Sequence, residues 1–164
     1  MTKNCVIKPL TDAQKLEFNE VSFIIYAVSH INVASKLIEW NTIHEIAIFQ
    51  HICVHAVELS LKAIVIKHGN NPKEFNHKIL DLKEYTEGRG LKFSAEDSVR
   101  FILINDAIYN QEFRYPKGMI FTNLGDDLLI WSKLVLVKCA QLIGGNATSQ
   151  IPHFWWTELE SIKK

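Results

Sequence analysis

A chain of 164 residues is the size of one ordinary domain, and 48% apolar against 22% charged residues supplies a core and excludes intrinsic disorder. Eighteen basic side chains balance eighteen acidic ones, which argues against a protein that coats nucleic acid through a strong positive field but leaves room for a local basic patch. Cys5, Cys53 and Cys139 are odd in number and far apart, with no Cys-x-x-Cys pair, so they read as reduced thiols of a cytoplasmic protein, neither a disulfide framework nor a zinc site.

The start, MTKNCVIKPL, lacks the apolar run of a signal peptide. A first helix is expected from a capping box at Thr11 and Gln14, in the Ser/Thr-x-x-Glu/Gln pattern, to about Trp40. Val21, Ile24, Ile25, Val28, Ile31 and Ile38 recur along it at helical spacing. A second capping box, Thr42 with Glu45, opens a helix to about His68, where Gly69 and then Asn70-Asn71-Pro72 stop it. Ile46, Phe49, Ile52, Cys53, Val57, Leu61, Ile64 and Val65 make this helix apolar around most of its circumference, which places it in the middle of a bundle.

A short helix follows from about Lys78 to Glu87, ended by Gly88-Arg89-Gly90. Ser94 with Asp97 opens a fourth, to about Asn110. A loop from Gln111 to Phe121 leads to a fifth, from about Asn123 to Ile143, where Asp126 and Asp127 suit the positive end and Gly144-Gly145 the stop. The last residues are irregular or a short helix carrying His153-Phe154-Trp155-Trp156. No stretch of about twenty residues is free of charged and strongly polar side chains, so no membrane span is expected. The architecture predicted is all-α, an antiparallel bundle of four main helices plus one short helix over residues 1–146. Residues 147–164 form an aromatic tail packed on the bundle or across a dimer, or left as an exposed docking patch.

Polar residues interrupt the second helix on one side. His44, His51, His55, Glu58 and Lys62, spaced seven, four, three and four apart, share a face. Three readings stand side by side. His51, His55 and Glu58 converge on a divalent metal, although no fourth ligand is identifiable and the zincin order is absent. The stripe lines a cleft for phosphate or an acidic partner. Or it is the solvated face, where Glu58 and Lys62 pair at i, i+4 for about 0.2–0.5 kcal/mol. Arg114-Tyr115-Pro116-Lys117-Gly118 has two readings: a phosphate-contacting and base-stacking loop, or a packed turn in which Arg114 caps the fourth helix. His77 reads as a hydrogen bond at the start of the third helix, or as a phosphate contact there. There is no Gly-rich phosphate loop, nucleophile elbow or Cys/His metal cluster.

Three patterns, in order, resemble the HEPN family (higher eukaryote and prokaryote nucleotide-binding domains). They are His55-Ala56-Val57-Glu58-Leu59-Ser60-Leu61-Lys62-Ala63, then His77 followed by Ile79-Leu80-Asp81-Leu82, then Asn105 to Tyr109 leading into Arg114-Tyr115-Pro116. Together they span roughly residues 45 to 120. Many members are metal-independent RNases with an Arg-x4–6-His motif near the end of a core helix. Here no histidine follows Arg89, Arg100 or Arg114 at that spacing, and the matching place reads Asn105-Asp106-Ala107-Ile108-Tyr109-Asn110. An amide neither carries the charge that stabilises a developing phosphorane nor shuttles a proton near neutral pH.

The resemblance therefore implies a non-catalytic, cytoplasmic module that binds a nucleotide, RNA or a partner protein, as a homodimer and without metal or cofactor. Its ligand-binding residues are expected among Arg114, Tyr115, Lys117, His51, His55, Glu58, Lys62, Asn105, Asp106 and Asn110. The alternatives are an RNase with a non-standard site built from His51, His55, Glu58, Lys62 and Arg114, and an antitoxin-type interaction module.

Overall fold

The computed structural model describes residues 8–13, 19–37, 42–109 and 125–162, and all of its regular elements are helices. They are α1 (Glu20–Leu37), α2 (Ile43–Lys67), a 3-10 turn (Pro72–Phe75), α3 (Ile79–Glu87), α4 (Ala95–Tyr109), α5 (Gly125–Ile143), a second 3-10 turn (Gly145–Gln150) and α6 (His153–Ile162). The all-helical bundle expected from periodicity is the observed fold.

Residues 12–13 are helical directly after Thr11, where the capping box places a helix start, but the single helix expected from there to about Trp40 is interrupted at Asn19. The described helix opens at Glu20, behind an Asn19 carboxamide that accepts hydrogen bonds from the Val21 and Ser22 amides at 2.8 and 3.4 Å. Asn19 thus satisfies orphan amides of the first turn of α1, a second helix start that the sequence reading did not mark. Gln14 and Trp40 lie outside the described residues. Upstream, the segment around Pro9 runs antiparallel to the turn after α2: the Leu10 amide donates to the Gly69 carbonyl at 2.8 Å, and the Asn71 amide to the Lys8 carbonyl at 3.0 Å.

α2 forms behind the predicted capping box. The Glu45 amide donates to Thr42 Oγ1 at 3.3 Å, and the Thr42 amide to Glu45 Oε2 at 2.8 Å. It ends where Gly69 takes φ +73°, a left-handed conformation that a side chain would strain. α4 opens the same way: the Asp97 amide donates to Ser94 Oγ at 3.0 Å and the Ser94 amide to Asp97 Oδ2 at 2.9 Å.

α2 is the hub. It packs against α1, α3 and α5, and α1 also meets α5. Phe49, Cys53, Val57, Leu61, Ile64 and Val65 of α2 are buried, together with Ile24, Ile31 and Ala34 of α1 and Leu136, Cys139 and Ala140 of α5. By length and composition Glu45–Lys67 would also pass for a membrane span, but most of it is buried inside the bundle, as befits a core helix. The Lys67 ammonium then caps α5, donating to the Leu142 and Ile143 carbonyls at 2.5 and 3.0 Å.

α4 is held to α5 by rings and one carboxylate. Phe101 packs edge-on against Phe93 and Trp131, with centroids 4.9 and 5.1 Å away. Trp131 Nε1 donates to Asp97 Oδ1 at 2.8 Å, and Lys138 lies 3.3 Å from Oδ2. Burial alone would raise the Asp97 carboxyl, but the Ser94 amide, the Trp131 donor and the Lys138 charge outweigh it and hold it below the usual carboxylate range.

Ala147, Ile151, Trp155 and Leu159 are buried in the same core as the helices, so the segment after residue 146 is packed on the bundle. Of its aromatics, Trp155 is 1% exposed and Phe154 63% exposed. Lys133, nearly buried on α5, binds both Glu158 carboxylate oxygens at 2.8 Å and sits 5.5 Å from the centre of the Trp155 ring. Cys53 and Cys139 are free and buried, and burial pushes the Cys53 thiol up to about 12 and the Cys139 thiol higher still. Both are inert neutral thiols; Cys5 lies outside the described residues.

Candidate functional site

The polar stripe of α2 is solvated at His51 but shielded further along. Glu58 is 4% exposed, and the Lys62 side chain only 14%. The two pair at 2.6 Å, as the i, i+4 spacing predicts, but in a setting drier than the surface pair that the spacing suggested. A buried carboxylate is costly unless its oxygens are satisfied. Here a second partner completes the set, because His77 Nδ1 approaches Glu58 Oε2 at 3.1 Å and Oε1 at 3.2 Å. This corrects the reading of His77. Its ring turns back to α2, and the cap position of α3, Lys78, makes no side-chain hydrogen bond to the helix.

One helical turn nearer the start of α2 lies a group of imidazoles. His55 Nδ1 meets Nε2 of His30, from α1, at 3.1 Å, and His30 Nδ1 in turn meets the Tyr26 carbonyl at 2.7 Å. The His30 and His55 rings stand edge to face with centroids 4.7 Å apart. His51, four residues before His55, lies nearly parallel to it, with centroids 6.2 Å apart. Burial lowers the pKa of His55; the neighbouring His30, His51 and Lys62 lower it further, and only Glu58 opposes them. His55 is therefore neutral at pH 7, a hydrogen-bonding ring and not a cation.

The stripe thus resolves into two adjoining clusters, His30–His55–His51 and Lys62–Glu58–His77, contributed by α1, α2 and the turn before α3. His30 went unnoticed in the sequence. It sits at the border of the buried α1 positions Ala27, Ile31 and Ala34, and its only local sign is Tyr26 four residues earlier.

The proposed metal triad does not assemble. Glu58 is turned to Lys62 and His77, and among the described residues no group of three His, Cys, Asp or Glu side chains is placed to hold a metal ion. Asn105 is half-buried and Asp106 exposed on α4, and no hydrogen bond or ion pair among the described residues joins them to the stripe. Asn110, Arg114, Tyr115 and Lys117 lie outside the described residues, as does the side chain of His44.

Comparison with protein-family models, with curated proteins and with solved structures yields no match.

Proposed function

We propose that this chain is a HEPN-like helical module of the cytoplasm that binds a nucleotide or RNA without cleaving it. The observation that carries the reading is the contact between Glu58 and His77. It joins two of the three segments on which the family resemblance rests, nineteen residues apart in sequence, into one half-buried polar cluster. A bundle needs no such cluster for its core, and polar groups kept at that depth suit a ligand site. The degenerate motif at Asn105 to Asn110 favours binding over cleavage.

The Arg114 to Lys117 loop supplies the phosphate contact in this reading. A guanidinium offers bidentate contact, and Tyr115 offers a stacking face. Calorimetry with ATP and with a short single-stranded RNA is expected to detect binding, while the RNA stays intact. Arg114→Ala is expected to weaken binding roughly ten- to a hundredfold, since a charge-assisted contact contributes about 1.5–3 kcal/mol. Its melting temperature should stay unchanged. Intact affinity with a large drop in melting temperature makes Arg114 a structural clamp. Cleavage abolished by His51→Ala or His55→Ala would falsify the binding-only reading and promote the RNase. No binding to either probe leaves the partner-protein module.

Homodimerisation belongs to the same proposal. Val99, Ile102 and Leu103 are 56%, 50% and 41% exposed, a stripe at i, i+3, i+4 on the outer side of α4. Light scattering at micromolar concentration is expected to give about twice the chain mass. A monomer at every concentration sinks the dimer and leaves the site untouched.

A further inference from the structure

The hydrogen bonds through the imidazoles have one neutral solution. A peptide carbonyl has no proton to give, so the 2.7 Å contact of His30 Nδ1 with the Tyr26 carbonyl puts the His30 proton on Nδ1. In the neutral ring Nε2 is then an acceptor. The 3.1 Å contact with His55 Nδ1 therefore puts the His55 proton on Nδ1 as well. Nε2 of His55 is left as a bare lone pair, with no hydrogen-bond partner among the described residues.

We propose that His55 Nε2 is an acceptor site for a hydroxyl of the ligand, of the kind a sugar presents, and that His30 is the positioning residue that fixes its tautomer. The proposal rests on the reading of the stripe as a nucleotide or RNA site, and it names the part of that ligand the stripe takes. Phosphate is the poorer fit. The one lysine ammonium at the stripe among the described residues, Lys62, is already engaged by Glu58 at 2.6 Å. The groups facing His55 are His30 from α1, His51, Glu58 and Lys62 from α2, and beyond Glu58 the ring of His77. Protonating His55 would turn Nε2 from acceptor into donor. A hydroxyl, which both donates and accepts, then keeps its contact only by reversing its role, whereas phosphate binding would rise with the new charge.

The test is nitrogen-15 NMR of the histidine side chains of the full chain at neutral pH, with signals assigned by His30→Gln and His55→Gln. His55 and His30 are both expected with the proton on Nδ1. In His30→Phe, which deletes the acceptor, His55 is expected to regain the form with the proton on Nε2. D-ribose at millimolar concentration is expected to shift the His55 Nε2 signal at neutral pH, while inorganic phosphate leaves it in place. A protonated Nε2 at neutral pH, an Nε2 signal unmoved by ribose, or one moved by phosphate alone each overturns the proposal. If ribose acts as expected but neither ATP nor RNA binds, the acceptor site stands and the nucleotide reading falls.

Discussion

Leu61→Ala is expected to lower the unfolding free energy by about 2–5 kcal/mol, with the position in that range set by how far the neighbours collapse into the vacated volume. Leu61 has no exposed surface and stands on the helix that α1, α3 and α5 all pack against. Deleting three carbons there removes contacts on several sides at once, and close-packed interiors relax only in part. The loss should appear as a lower denaturant midpoint with an unchanged slope, since the native state stays compact. His51→Ala on the same helix is the control: its side chain is exposed, and the expected change is within about 0.5 kcal/mol. Equal midpoints for Leu61→Ala and the parent chain would show that α2 is not the centre of the core.

What was legible in the sequence follows from range. The starts of α2 and α4 are fixed by partners three residues away, Thr42 with Glu45 and Ser94 with Asp97, so the spacing alone locates them. The helix start behind Thr11 was legible, but the interruption at Asn19 was not: Asn19 stands two residues before Val21, where the apolar periodicity begins, and that proximity was the signal for a second start. The stripe on α2 was visible as a stripe, but its burial was not, because burial depends on what α1 and the His77 turn place over it. His30 illustrates the limit: its partners are a carbonyl four residues back and a ring twenty-five residues ahead, and only the second makes it part of a site. The spacing of Ile151, Trp155 and Leu159, four apart, could have marked α6, yet a ten-residue segment gives too few turns for a periodicity to stand out.

Trp155→Ala is expected to cost about 3–5 kcal/mol, as large aromatic deletions in cores do. The indole is 1% exposed and fills the contact between α6 and the bundle. It also carries the Lys133 ammonium over its face at 5.5 Å, and that ammonium in turn holds Glu158 on the same helix. Removing the ring therefore loosens a nearly buried cation, whose side chain is 7% exposed, as well as opening a void. A helix of ten residues does not persist in water on propensity alone, so α6 depends on this anchor for its helicity. The melting temperature should fall by roughly 6–20 °C, taking about 2–4 °C per kcal/mol for a chain of this size. Amide exchange in residues 151–162 should quicken before the rest of the bundle opens, as expected of a unit attached through one face. Phe154→Ala, one position away and 63% exposed, should change the melting temperature little. If the two variants melt alike, Trp155 is not what holds the tail, and the Lys133–Glu158 pair must be doing so; Glu158→Ala, which strands that lysine, would then show the larger loss.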